Sequence, residues 1–367
     1  MIYVFVRFRQ SLFLVMNLIV IVSLLGCQSS LATAPSATAP VPSPTLLDPV
    51  ASSTATPLPT EETSLGEAPA PLITTALPTP NAETLELFEY DQSLPLDVQS
   101  SPATGLDGYS TQELTYASPK GGRVPATLLV PTESPGPFAG IIIMHGLPGN
   151  RSNNALFARR LAVSGAVVLM IDAPFARPEN RNRVGGPLTF DEVDRLEQIQ
   201  LMVDLRRGVD LLSAREDVDP ERLAYVGYSY GAAMGGLLAG IEPRIKAFGL
   251  MVGDGGLVAH FTDSDGSFFE MSRLSAEDQA AWLAQMEPIE PIRFVSRAAP
   301  ASLFFQNALH DDAVMQDDAL AYQAAGSEPK RIEWYESNHM LPEEAFEHMA
   351  EWLEMKIGID ASQFSGP

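Results

Sequence analysis

The pentapeptide Gly227-Tyr228-Ser229-Tyr230-Gly231 constrains this chain more than any other stretch. It follows a short apolar run, residues 222–226, that is bounded upstream by Asp219-Pro220, and it precedes the small, helix-compatible run 232–239. Strand, sharp turn and helix is the setting in which G-x-S-x-G lifts a serine out of the backbone as a nucleophile elbow. The glycines have a steric reason. Neighbouring backbone comes so close in such a turn that flanking side chains would clash. The bland alternative is a glycine-rich turn holding an ordinary serine.

The chain around this turn alternates strand and helix. Residues 112–118 and 124–131, joined by the turn Lys120-Gly121-Gly122, read as an antiparallel hairpin. Residues 87–98 read as an extended flank. Residues 140–144 form an unbroken apolar run, as a parallel strand covered on both faces requires. A helix is expected over 153–164, closed by Gly165, and a buried strand over 166–171. A long amphipathic helix spans 191–215, with Val193, Leu196, Ile199, Val203, Leu205, Val209 and Leu212 at three- and four-residue steps. Further strands are expected over 247–252, 301–305 and 331–335, and a closing helix over 342–355. About 280 residues from Leu85 onward suit one large α/β domain.

The 46% hydrophobic and 19% charged content is that of a globular chain. The net charge of −23 supplies no basic footprint for nucleic acid. Cys27 is the single cysteine, so an internal disulfide and a cysteine-based zinc site are both excluded. Arg7 and Arg9 followed by an apolar run over 12–25 describe a secretory signal. Its end, Leu24-Leu25-Gly26-Cys27, resembles the lipobox of bacterial lipoproteins. That resemblance implies cleavage after Gly26, lipidation of Cys27 and a bacterial cell-envelope location outside the cytoplasm. An uncleaved N-terminal membrane anchor is the alternative. Residues 27–84, rich in Pro, Ala, Thr and Ser without period, are expected to be a disordered spacer. Its reach is roughly 40 Å as a coil and at most about 170 Å as a polyproline helix.

The succession of elements over residues 85–360 resembles the α/β-hydrolase fold, with a mostly parallel central sheet flanked by helices on both faces. The dienelactone-hydrolase-like and acyl-peptidase-like bacterial serine hydrolases are the nearest in pattern. The resemblance rests on the elbow, on His145-Gly146 after the strand at 140–144, on Asp219-Pro220-Glu221-Arg222, and on the motifs around Asp311 and His339. A serine hydroxyl needs a base to take its proton, and the base needs an acid to orient it. The family's chain order is Ser, acid, His, which implies Ser229 as nucleophile and His339, after the last strand, as base. In residues 304–314 the register of an apolar residue, Val314, three positions beyond the acid implies Asp311. Asp312 and Asp254 are the alternatives. Asn338 and Ala308 occupy positions where the family usually has glycine. The oxyanion donors implied are the backbone N–H groups of Tyr230 and of Leu147, since Pro148 has none to give.

The resemblance implies hydrolysis of a small-molecule ester through a covalent acyl-enzyme, with no metal and no organic cofactor. A prolyl-oligopeptidase-like peptidase, a lactone hydrolase and a non-catalytic envelope lipoprotein on the same fold are the rivals. Two stretches are placed to cover the site. One is residues 172–188, with Arg177, Arg181 and Arg183. The other is residues 253–299, with Phe268, Phe269, Met271 and a helix from about Ser275 carrying Trp282, Leu283 and Met286. Packing onto the core is the expected role of most of these apolar residues, and surface solvation that of the arginines. The lipobox reading predicts that Cys27→Ala abolishes lipid incorporation, measured by fatty-acid labelling. Globomycin should block processing of the native precursor.

Overall fold

The parallel half of the sheet follows from strands that are apolar at every position. In the computed structural model, which describes residues 65–66, 68–70, 78–180, 183, 186–262 and 271–364, β5 (Phe138–Met144) and β6 (Ala166–Ile171) are buried along their whole length. Side chains alternate across a strand. Ile142 and Met144 therefore join one core, and Ile141 and Ile143 join another on the opposite face. A strand with both faces covered this way sits in the middle of a sheet.

The remaining strands are β1 (Gln99–Ser100), β2 (Thr104–Gly105), β3 (Tyr109–Ala117), β4 (Arg123–Pro131), β7 (Val218–Tyr228), β8 (Ala247–Met251), β9 (Ser302–Ala308) and β10 (Lys330–Tyr335). The order is β1-β3-β4-β6-β5-β7-β8-β9-β10, with β2 beside β3. Strands β5 to β10 pair in parallel, and β3 and β4 form the expected antiparallel hairpin that extends the sheet past β6. The chain leaves β5 for β6 on one side, then returns to place β7 on the other side of β5. The loops leaving β5 and β7 thus part company, and the crevice between them is where open α/β sheets bind ligands.

The helices are α1 (Ala82–Glu86), α2 (Ala155–Val163), α3 (Glu192–Ser213), α4 (Tyr230–Ala239), α5 (Leu257–Thr262), α6 (Ala276–Met286), α7 (Gln316–Ala325) and α8 (Glu343–Ile357). Helices α3, α4 and α7 contribute Leu201, Leu205, Leu237 and Tyr322 to one core. Helices α2 and α8 contribute Leu161, Met349, Trp352 and Leu353 to the other. Helices on both faces of a mostly parallel sheet make this the α/β-hydrolase architecture expected from the sequence.

Three details differ from the sequence reading. The boundary at residue 84 falls inside α1, whose N-cap Asn81 accepts the Thr84 N–H at 2.8 Å. Leu65 and Gly66, expected in the spacer, lie against β10, where Gly66 N–H donates to Trp334 O at 3.0 Å. The stripe of α3 buries Ile199, Val203, Leu205, Val209 and Leu212, but Val193 and Leu196 are exposed. Its first turns instead turn Asp194 and Gln198 inward, toward the insertion between β8 and β9. Asp194 accepts bonds from Thr189 and Phe190 N–H and from Trp282 Nε1 at 2.9 Å, and Gln198 donates to Ile289 O at 2.8 Å.

The insertion helix α6 starts at the expected cap, with Ser275 Oγ accepting Asp278 N–H at 3.1 Å. Trp282 and Met286 are fully buried. They pack the insertion onto the domain. Trp282→Phe keeps most of the packing and removes the indole donor to Asp194. The expected outcome is a loss of about 2–3 kcal/mol of stability, from the bond to a buried carboxylate and the volume removed, read as a lower urea midpoint.

Candidate active site

Register brings six loops to one edge of the sheet. Met144 of β5 pairs with Ile171 of β6 and with Gly227 of β7, Tyr228 pairs with Met251 of β8, and Ala308 of β9 pairs with Tyr335 of β10. The residues that follow these strand ends are His145-Gly146, Asp172, Ser229, Asp254, Asp311 and His339.

Ser229 has φ 54° and ψ −118°, a conformation that costs a non-glycine residue of order 1–3 kcal/mol. Both flanking glycines are required by contact distances. A Cβ on Gly227 would lie 2.1 Å from Gly231 O, and one on Gly231 would lie 2.4 Å from Met144 O. Ser229 N–H donates to Met251 O at 2.8 Å, and Ser229 O accepts Ala233 N–H at 3.0 Å, so the turn is pinned to β8 and to α4. Tyr230 is the first residue of α4. Its N–H belongs to the helix's unpaired first turn and so is available to an anion.

The loop after β5 approaches the same serine. A Cβ on Gly146 would lie 3.2 Å from Ser229 Cβ. His145 is fully buried and organises this loop. Ala173 N–H donates to its Nε2 at 3.1 Å, which places the ring proton on Nδ1, facing Gly146 O at 2.7 Å. Gly149 N–H donates to the same carbonyl at 2.9 Å. Burial holds the His145 imidazole below the usual histidine range, which keeps Nε2 an acceptor. Arg151 fastens the loop's far end, donating its N–H and guanidinium to the buried Asp172. Leu147 therefore sits on a loop held at both ends, directly after the glycine that faces Ser229.

His339 Nδ1 lies 2.9 Å from both carboxylate oxygens of Asp311. Asp311 is itself fixed by the Ala313 and Val314 N–H groups, each at 2.9 Å to Oδ1. Asp312 points to the exterior. Asp254 follows β8 but accepts from its own partner, His260 Nδ1, at 2.7 Å. Of the three carboxylates weighed in the sequence, Asp311 is the one paired with His339. Asn338 does not use left-handed backbone. Its Oδ1 accepts Met340 N–H at 2.9 Å in a tight local turn, which is why glycine is dispensable there. The arginines of the first covering stretch are spoken for. Arg177 pairs with buried Asp204 and Arg183 with Glu197. Cys27, Arg181, Phe268 and Phe269 lie outside the described residues.

Sequence reasoning missed three features here. Tyr228 donates to His339 O at 2.5 Å. Val252 has φ 47°, a strained value for a β-branched residue, directly after the strand that holds Ser229 N–H. Asp254, His260 and Glu290 form a second polar cluster under α5. None has a signal in spacing: the first joins the ends of β7 and β10, the second is a single backbone angle, and the third depends on how the insertion between β8 and β9 folds back on itself. A cavity of about 310 Å³ lined by Leu85, Glu89 and residues 239–243 and 297–301 lies at the opposite, entering ends of β8 and β9.

A serine in a strained strand-to-helix turn, an imidazole backed by a carboxylate and a loop of backbone donors define the α/β-hydrolase class. Comparison with known proteins agrees. The dienelactone hydrolase family model matches residues 124–253, and the prolyl oligopeptidase family model matches residues 190–355. Each match covers less than half of the chain, and what the chain shares with these proteins is the α/β-hydrolase fold. A Yersinia pestis protein assigned as a carboxymethylenebutenolidase is 26% identical over 152 residues, covering 40% of this chain and 56% of that relative's own length. Among solved structures, an acetyl xylan esterase from a Paenibacillus species matches with a TM-score of 0.60 at 20% identity, over 75% of this chain and 92% of its own. Acetyl xylan esterase 1 from a Thermoanaerobacterium species matches with a TM-score of 0.62 at 15% identity, over 78% and 95%.

Glu290 gives a pH prediction. It is buried, and its Oε1 accepts Val258 N–H at 3.0 Å. Burial, with the Asp254 charge adding, pushes its carboxyl up to about 8, against about 4.3 for an ordinary glutamate. The folded chain thus holds a proton that the unfolded chain has released. This contribution to stability is complete below about pH 4.3 and is lost as pH rises through about 8. Between about pH 5 and about pH 9 the wild type should lose stability relative to Glu290→Gln, measured by denaturant midpoints.

Proposed function

We propose that the chain is a serine hydrolase of carboxylic esters. Ser229 is the nucleophile, His339 the general base and acid, and Asp311 the residue that orients and charges against His339. The observation that carries the reading is the Asp311–His339 pair, held by Ala313 and Val314 N–H, on the sheet edge that carries the strained Ser229. With Nδ1 committed to Asp311, His339 has Nε2 for the serine proton. Attack on an acyl carbonyl forms a Ser229 Oγ–C bond while the proton passes to Nε2. The carbonyl oxygen becomes an oxyanion that the Leu147 and Tyr230 amides receive. Collapse expels the alcohol, which takes the proton from His339. Water, deprotonated by the same imidazole, then attacks the acyl carbon; the acid leaves, and the imidazole returns that proton to Ser229 Oγ.

Esters lead among acyl substrates because both solved neighbours reported above are named as esterases. The prolyl oligopeptidase match over 190–355 favours peptide cleavage as the second reading, and the dienelactone hydrolase match keeps lactones within the substrate class. Lipidation at Cys27 would hold this chemistry at the envelope surface.

Ser229→Ala and His339→Ala are each expected to abolish turnover of a short-chain aryl ester with unfolding midpoints preserved. Asp311→Asn is expected to lower kcat far more than Asp312→Asn, by about 10⁴-fold for the acid of a triad. Full activity in Ser229→Ala would remove the serine from its role. A larger loss in Asp312→Asn would move the acid by one position. Parallel assay of a peptide amide separates the esterase reading from the peptidase reading.

A further inference from the structure

We propose that Tyr228, the residue before the elbow serine, is the positioning residue of the histidine base: its phenol fixes the His339 backbone relative to Ser229. The inference rests on the serine-hydrolase reading above and adds a residue to it.

The problem it solves is one of reach. Ser229 leaves β7 and His339 leaves β10, with β8 and β9 between them in the sheet. At about 4.8 Å per strand, the two strand ends are roughly 14 Å apart. His339 therefore rides on an irregular loop, residues 336–342, that must lean back across two strands. Asp311 holds the imidazole by Nδ1, but it comes from a third loop, after β9. That bond orients the ring without tying it to the elbow.

Tyr228 makes the direct tie. Its hydroxyl donates to His339 O at 2.5 Å and accepts Leu341 N–H at 3.3 Å, so one group grips the loop on both sides of Met340. Its ring meets the His339 imidazole edge to face, with centroids 5.9 Å apart and planes at 81°. The phenol packs against the core that holds Leu341, Ala345 and Met349. It is covalently adjacent to Ser229, so any displacement of the turn and of the histidine loop is shared. Burial, set partly back by the Leu341 N–H, pushes its hydroxyl up to about 12. It remains a donor across the range in which His339 works. A phenylalanine at this position would keep the ring contact and leave His339 O and Leu341 N–H without their common partner.

The test is Tyr228→Phe in the full chain, assayed on an aryl ester over a pH series. Concentrations are set by fluorophosphonate titration of reactive serine, and Ser229→Ala and His339→Ala are measured alongside. The expected result is a kcat per titrated site lowered roughly 10- to 100-fold, the scale of a misplacement of about 1 Å. KM should stay within about twofold, because the phenol touches no substrate. The acid limb of the pH profile should move, and the downfield proton resonance of the His339–Asp311 bond should shift or broaden. A kcat per titrated site and an acid limb equal to wild type, with Ser229→Ala and His339→Ala inactive, would overturn the positioning role and leave the serine-hydrolase reading standing. A loss confined to KM, or one that disappears on correction for titrated sites, would also overturn it. Activity in Ser229→Ala would instead defeat the underlying reading.

Discussion

Contact between the first turn of α4 and the end of β5 sets the geometry on which the rest of the site depends. Gly231 presses on the carbonyl of Met144, and Gly227 presses on the carbonyl of Gly231. The space left between strand and helix admits backbone only. Closing that gap forces Ser229 into positive φ, and the helix N-terminus comes to face the same crevice as the serine. The cost of the strained residue is met by surroundings that over-determine it, the bonds to Met251 and Ala233 among them.

Around that contact, each catalytic candidate is held by a group that does not itself react. His145, kept neutral by burial, clasps the loop of Leu147 from inside, and Arg151 with Asp172 clasps it from outside. Ala313 and Val314 amides hold Asp311, Asp311 holds His339, and Tyr228 returns the histidine loop to the elbow. The chain of support runs back to the elbow: it ends at the residue before Ser229. Preorganisation of this sort lets fixed dipoles meet charge as it develops, with little rearrangement at the moment of reaction.

Most of the fold was legible because its elements obey local rules. Fully apolar runs at 140–144 and 166–171 are central parallel strands, and the hairpin at 112–131 has its turn glycines where they are needed. The elbow was legible because close approach leaves a glycine signature. Asp311 was separable from Asp312 only through its register with Val314, whose N–H does bond Asp311. What stayed hidden involves partners far apart in sequence or brought together by the course of an irregular segment. The inward turn of Asp194 depends on Trp282, 88 residues away. The hydroxyl of Tyr228 meets a carbonyl 111 residues away, and the pairing of Asp254 with His260 depends on the path of the insertion. Periodicity speaks for the face of an element, and it is silent about which loops meet.

The central claim is that Ser229 is a nucleophile made reactive by this frame. Intact-protein and peptide mass spectrometry after treatment with a fluorophosphonate tests it most directly. The account predicts one adduct per folded molecule, located on Ser229, and none in protein unfolded before treatment. A folded protein that takes no adduct, or takes it at another serine, would contradict the account.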